Sequence, residues 1–332
     1  MILVTGGCGY IGSHFIVKLI ERGIDFISLD NFSNSSSTVV DKIKNLTNSP
    51  ANFIKGDVRD EKVLDKIFSG NKIRAVAHFA GLKSIAESFD HPLEYYSSNV
   101  SGSLNLLRVM DRAKVKKIIF SSSATVYGDQ HPLPWHEELI LKMPSSPYAQ
   151  SKLIVEEILK SMFLVNSNWS IGILRYFNPI GSHKSGVIGD DINKENRNLI
   201  PSIMRVVLGK SPYLSIFGND FETLDGTGVR DYIHIDDLLE GHIKALNHIE
   251  INRGFNVWNL GTGRGYSVLE ILREFEKLIG RDIPYKFKSR RQGDLSKYWA
   301  DVSKAKKELD WISKNGIEEM IYDSLNYIKN SR

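Results

Sequence analysis

The chain has 332 residues, with 43 lysines and arginines against 39 aspartates and glutamates and a formal net charge of +4. That length is too great for one small core and suits two packed lobes, and the ordinary globular composition excludes a disordered chain. So mild a charge, carried by scattered basic residues, argues against a nucleic-acid surface; the single cysteine, Cys8, excludes an intramolecular disulfide; and no apolar stretch approaches the ~20 residues that span a bilayer. The densest basic run, Lys114, Lys116 and Lys117, reads as a solvated helix end. The opening Ile2-Leu3-Val4 lacks the charged and long apolar regions of a signal peptide, so the expected location is the cytoplasm.

Residues 2–5 read as a short apolar strand. Residues 11–22 carry Ile11, Phe15 and Leu19 at helical spacing, and Gly23 is placed to stop that helix. Further strands are expected at 24–29, ending at Asp30; at 52–55, leading into Gly56-Asp57; and at 73–79, 118–123 and 171–174. A helical stretch at 104–113 precedes the fifth strand. Strands separated by helices imply an α/β fold, a Rossmann-type doubly wound parallel sheet with ligands at the carboxyl ends of its strands. Beyond residue 177 the segments become irregular and richer in Gly, Asn and Asp. The expected division is 1–176 and 177–332, the second part a smaller α/β substrate-binding lobe. Residues 231–247 read as strand then helix, capped by Asp236 or Asp237, and are suited to return to the first lobe.

Gly6-Gly7-Cys8-Gly9-Tyr10-Ile11-Gly12 follows the first strand and opens the first helix. It satisfies Gly-x-Gly-x-x-Gly from Gly7 and Gly-x-x-Gly-x-x-Gly from Gly6. Such glycines allow a tight turn and a close approach to a pyrophosphate, which the helix N-terminus then favours. Asp30, at the end of the second strand, is suited to an adenosine ribose. A 2′-phosphate there meets a like charge, so NAD is expected rather than NADP. Asp57 is suited either to meet adenine or to cap a helix. The serine-rich stretch 31–37 falls beside the same cofactor position.

Tyr148-Ala149-Gln150-Ser151-Lys152 follows Ser146-Pro147, with Pro147 as a first helical residue. Spacing of four puts Tyr148 and Lys152 on one helical face. A phenol titrates near ~10 and is a poor base at neutral pH. Nearby cations, Lys152 and a nicotinamide, are expected to lower it, so that the phenolate can take a proton from a sugar hydroxyl as hydride leaves the same carbon. Ser123, last of Ser121-Ser122-Ser123 at the end of the fifth strand, is the candidate to hold that hydroxyl. No metal is expected.

These residues resemble the UDP-glucose 4-epimerase family of extended short-chain dehydrogenases/reductases over nearly the whole chain. The resemblance rests on Val4-Thr5-Gly6-Gly7, Asp30-Asn31-Phe32, His78-Phe79-Ala80-Gly81-Leu82-Lys83, Pro92-Leu93-Glu94-Tyr95-Tyr96, Ser121 to Gly128, Leu174 to Pro179, and Asp225 to Tyr232. It implies Ser123, Tyr148 and Lys152 as the catalytic set. It implies NAD contacts from Gly6, Gly9, Tyr10, Ile11, Gly12, Asp30, Asn31, Phe32, Ser33, Asn34, Ser35, Asp57, Val58, Phe79, Ala80, Gly81, Leu82, Lys83, Ser98, Asn99 and Phe177, besides the catalytic three. It places the UDP-sugar on Asn178, Asn198, Leu199, Ser215, Ile216, Phe217, Arg230, Arg291, Asp294 and Tyr298, as well as on Ser123 and Tyr148. The two arginines suit a pyrophosphate, which guanidinium matches bidentately. Cys8 departs from the small hydroxyl residue usual at its position, and Ser98 stands where relatives carry asparagine.

The implied activity is reversible interconversion of UDP-glucose and UDP-galactose through a 4-keto sugar, in a homodimer built on first-lobe helices. A nucleotide-sugar 4,6-dehydratase is the first rival. That family usually places Asp-Glu after the strand-five threonine, whereas Val126-Tyr127 follow Thr125 here. A non-catalytic NAD-sensing regulator is a second rival, disfavoured because both Tyr148 and Lys152 are present. For substrates with a 2-acetamido group, Tyr298 is expected to crowd the site.

Overall fold

The computed structural model describes residues 1–50, 52–128, 132–190, 198–291 and 293–330. Its strands, in chain order, are β1 Ile2–Thr5, β2 Phe26–Asp30, β3 Phe53–Lys55, β4 Ala75–His78, β5 Lys117–Ser123, β6 Ser170–Tyr176, β7 Asn178–Ile180, β8 Leu214–Phe217, β9 Val229–His234, β10 Gly254–Leu260, β11 Gly265–Ser267, β12 Tyr285–Lys288 and β13 Lys297–Tyr298.

Seven of these form one parallel sheet in the order β3-β2-β1-β4-β5-β6-β10. This is the expected doubly wound α/β sheet. The strands are short apolar runs because helices bury both faces. On one face Ile2, Val4, Ala77 and Leu174 pack with Phe15 and Leu19 of the helix Tyr10–Glu21 and with Leu238, Leu239 and Leu246 of the helix Ile235–Ile251. On the other, Leu3, Val76 and Phe120 pack with Leu64, Leu106 and Val155 from three further helices. The chain order reverses between β1 and β4, and the crevice at that switch point opens at the carboxyl ends of the strands.

The helix Ile235–Ile251 does return to the first sheet. Its cap, however, is His234, whose ring nitrogen accepts from Asp236 N–H at 3.0 Å, and neither expected aspartate serves. Asp236 instead pairs with Lys18, and Asp237 accepts from the backbone of Lys314 and Asn315. The seventh strand, β10, comes from a segment for which the sequence predicts no strand.

The remaining strands build a smaller layer around β9, with β7 and β13 parallel to it and β11 antiparallel. β8 and β12 pair separately. Register places Tyr298 opposite Arg230 and Asn178 opposite Tyr232.

Candidate active site

Between the two layers lies a cavity of about 1160 Å³. One end is the glycine loop. Gly6 has φ of +74°, and a Cβ there would stand 2.6 Å from the Ala80 nitrogen; a Cβ on Gly12 would stand 2.2 Å from the Gly6 carbonyl oxygen. Gly9 caps the helix Tyr10–Glu21 without any side-chain cap, so the positive end of that helix faces the cavity. The Asp30 carboxylate ties two loops together: it accepts from Cys8 N–H at 2.8 Å, from Phe32 N–H at 2.8 Å and from the Ser35 hydroxyl at 2.9 Å. This cradle, bare of side chains at its centre and acidic at the ribose end, fits a dinucleotide.

Asp57 is held by Arg59 and by Asn31, whose amide donates at 2.7 Å, and the Arg59 guanidinium brings its carboxyl down to about 2. The next helix, Glu61–Gly70, is capped by Asp60, so Asp57 is left facing the cavity.

Two expected cofactor contacts, Phe32 and Asn99, stand back from the cavity wall. Phe32 takes a left-handed backbone conformation, with φ of 58°. Asn99 lies in the π-helical turn Tyr96–Ser101 and clamps the 79–83 turn from behind. Its Oδ1 accepts from Leu82 N–H at 2.8 Å, while its Nδ2 donates to the Leu82 carbonyl at 3.1 Å and to the Ser151 hydroxyl at 2.9 Å. The other predicted site residues line the cavity, Ser98 among them.

Ser123 ends β5, and Tyr148 is the second residue of the helix Pro147–Val165. That helix starts on Pro147 because Ser146 caps it, accepting from Ala149 N–H at 3.2 Å. Burial pushes the Tyr148 phenol above its ordinary value, and a hydrogen bond with Ser123 works against the shift. Lys152, one turn on, donates to the Ser121 carbonyl at 2.8 Å and lies over the Phe120 ring. Burial brings it down to about 8, with the Glu156 charge opposing. The expected lowering of the phenol is therefore not supplied by the protein alone: the desolvation that surrounds Tyr148 outweighs its neighbours.

On the cavity wall formed by the smaller layer, Tyr298 is sandwiched. Trp135 stacks on one face at 4.9 Å and 4°, and the Arg230 guanidinium lies 4.6 Å from the ring centroid. Tyr298 also donates to Asn178 at 3.3 Å. Arg230 donates to the Leu295 and Val229 carbonyls, which aim it from β9. Arg291 pairs with Asp294 at 2.9 Å and covers Phe217 of β8. Ser215, Ile216, Asn198 and Leu199 complete this wall. The layers meet across the cleft through Lys83 and Asp190 at 3.3 Å, and through the Tyr10 hydroxyl, which donates to the Gly181 carbonyl at 2.7 Å. Trp135 and Asp190 are absent from the residues read from the sequence. Trp135 sits in a proline-flanked loop with no periodicity to mark it.

A family model described as the NAD dependent epimerase/dehydratase family matches residues 2–261. The chain is similar to the UDP-glucose 4-epimerase of Bacillus subtilis (strain 168), 49% identical over 323 residues that cover 97% of this chain and 95% of the relative. Among solved structures it is similar to UDP-glucose 4-epimerase from Bifidobacterium longum in complex with NAD+ and UDP. The TM-score is 0.96 at 46% identity, covering 99% of this chain and 98% of that one. It is also similar to the UDP-Glc/GlcNAc 4-epimerase of Campylobacter jejuni, with a TM-score of 0.85 at 33% identity and 99% of both chains covered.

Proposed function

The chain belongs to the NAD dependent epimerase/dehydratase family, and from that membership we infer that it interconverts UDP-glucose and UDP-galactose by transient oxidation at the sugar C4. It is an epimerase, its cofactor is NAD, and its substrates are UDP-sugars. The observation that carries the reading is the group of half-buried Ser123 with buried Tyr148 and Lys152, set between a dinucleotide cradle and the Arg230–Tyr298 wall.

We assign the roles as follows. The glycine loop, Asp30, Asp57 and the 79–83 turn hold NAD. When bound, NAD supplies the hydride acceptor and donor and a positive charge beside the phenol. Ser123 holds the C4 hydroxyl, and Tyr148 removes its proton. The Lys152 ammonium stabilises the phenolate. Arg230 and Arg291 grip the diphosphate, so the 4-keto sugar turns about that link without leaving and presents its opposite face for return of the hydride to C4, while Tyr148 returns the proton to the C4 oxygen. The Trp135 stack and Arg230 fix Tyr298 where a 2-acetamido group would lie, which favours sugars with a plain 2-hydroxyl. Residues 1–176, with 235–260 returning, serve as the cofactor unit; the remainder binds substrate. A homodimer on first-lobe helices and a cytoplasmic location complete the proposal.

UDP-galactose deuterated at C4 tests the chemistry. Deuterium should remain at C4 of the UDP-glucose formed, because the hydride that leaves is the one that returns. Loss of deuterium to solvent would overturn direct hydride transfer.

A further inference from the structure

Behind the reacting groups lies a buried ion pair that the roles above leave unused. Tyr148, Lys152 and Glu156 succeed one another at intervals of four on the helix Pro147–Val165, so they share its inward face. Glu156 bridges two strands. Its carboxylate accepts from the Ser122 hydroxyl, from Arg175 Nε at 3.2 Å and from Arg175 Nη2 at 2.7 Å. Ser122 of β5 and Arg175 of β6 are register partners, and the next rung is Ser123 with Tyr176. The carboxylate is thus fastened one rung from the serine that meets Tyr148.

An anchor alone does not call for charge here. A buried ion pair adds little net stability over well-packed apolar side chains of like volume. The groups facing Lys152 suggest what the charge does. From β4 comes His78, kept neutral by burial at about 3; from β5 the Ser121 carbonyl; from its own helix Tyr148 and Glu156. Arg175 stands beyond Glu156 and is engaged by it and by the Tyr127 ring. Glu156 is the anion of the set.

We propose that Glu156 is a positioning residue for the reaction: anchored on the Ser122–Arg175 rung, it fixes Tyr148 and Lys152 against Ser123 and supplies the negative charge that faces the Lys152 ammonium. This rests on the roles assigned above to Tyr148 and Lys152.

The test uses the NAD-loaded enzyme and follows kcat and KM for UDP-galactose against pH, alongside thermal midpoints. Glu156→Gln keeps the shape and removes the charge. It should lose about 10-fold or more in kcat at pH 7 with KM nearly unchanged, and the alkaline limb of kcat should move down by about one pH unit. Combining Glu156→Gln with Arg175→Gln removes the guanidinium that the single variant leaves unpaired, so the thermal midpoint should recover toward the parent while the limb stays shifted. Glu156→Asp keeps the charge but retracts it, and should lose kcat several-fold with the limb in place. A parental limb in both Gln-bearing proteins, with kcat tracking only the folded fraction, would reduce Glu156 to an anchor and overturn the proposal. Should the Gln-bearing proteins not fold, the Asp variant decides: parental kcat there, or a moved limb, contradicts it. Absence of turnover in the parent enzyme would overturn the functional reading itself, which is a separate result.

Discussion

Tyr148 stands where the chemistry is densest, and its surroundings set what its loss does. Tyr148→Phe keeps the ring, its packing against Tyr95 and the helix, and removes the group that carries the proton. kcat should fall by about 10³-fold or more, with UDP affinity measured by calorimetry nearly unchanged. Arg230 acts on binding instead. Arg230→Ala removes a charge-assisted contact and unstacks one face of Tyr298, so KM for UDP-galactose should rise by roughly 10- to 100-fold. Spacing made the Tyr148–Lys152 pair legible in the sequence. The same spacing hides Glu156, because a glutamate four residues from a lysine on a helix reads equally well as a solvated pair. Its burial comes from Ser122 and Arg175, which lie 34 and 19 residues away. Asn99 is expected from the sequence as a cofactor contact, and it stands behind the cavity wall instead. Its clamp on Leu82 was not legible, because a π-helical turn aims its side chain off any helical period.

At the scale of elements, the glycine loop works because backbone occupies the space that side chains would fill. A Cβ on Gly12 would meet the Gly6 carbonyl oxygen at 2.2 Å and the Gly7 Cα at 2.8 Å, neither of which is a movable side-chain end. Gly12→Ala should therefore force the strand–helix turn apart. The purified variant should retain little NAD, judged by the nucleotide released on denaturation, and should melt at a lower temperature than the parent. Full NAD content would contradict the tight-turn account. The strand–glycine–helix order was readable because it is local. β10 was not, since Gly254–Leu260 mixes Asn256 and Asn259 with apolar residues and becomes a strand by adding to the edge of β6, some eighty residues back. The cap of the helix Ile235–Ile251 was misplaced for a related reason. Acidic residues in a first turn favour the helix dipole wherever they stand, and His234 supplied the acceptor one residue before the helix.

At the scale of the whole molecule, His14, His78 and His242 are buried and neutral among the described residues. His14 lies between the Tyr10 carbonyl and His183 N–H, His78 between Thr5 and Ser103, and His242 between the Leu238 carbonyl and Tyr176. Burial lowers them to about 3, about 3 and about 4 respectively. The unfolded chain binds protons at these rings below about pH 6.5, whereas the folded one does so only near pH 3–4. Stability should thus fall as pH drops from about 6.5 to about 4, with up to about three protons taken up on unfolding. Urea titrations across that range check the slope, and a flat profile would contradict the burial of these rings. The cleft's closure through Lys83–Asp190 and Tyr10–Gly181 depends on contacts more than a hundred residues apart, which no local pattern in the sequence marks. On the proposed chemistry, this cleft holds its own NAD and inverts C4 of a UDP-hexose. The most direct test is to incubate the purified protein with UDP-galactose, adding no NAD, and to separate the products chromatographically. UDP-glucose should accumulate toward an equilibrium that is also reached from the UDP-glucose side; no product, even after NAD is added, would contradict the account.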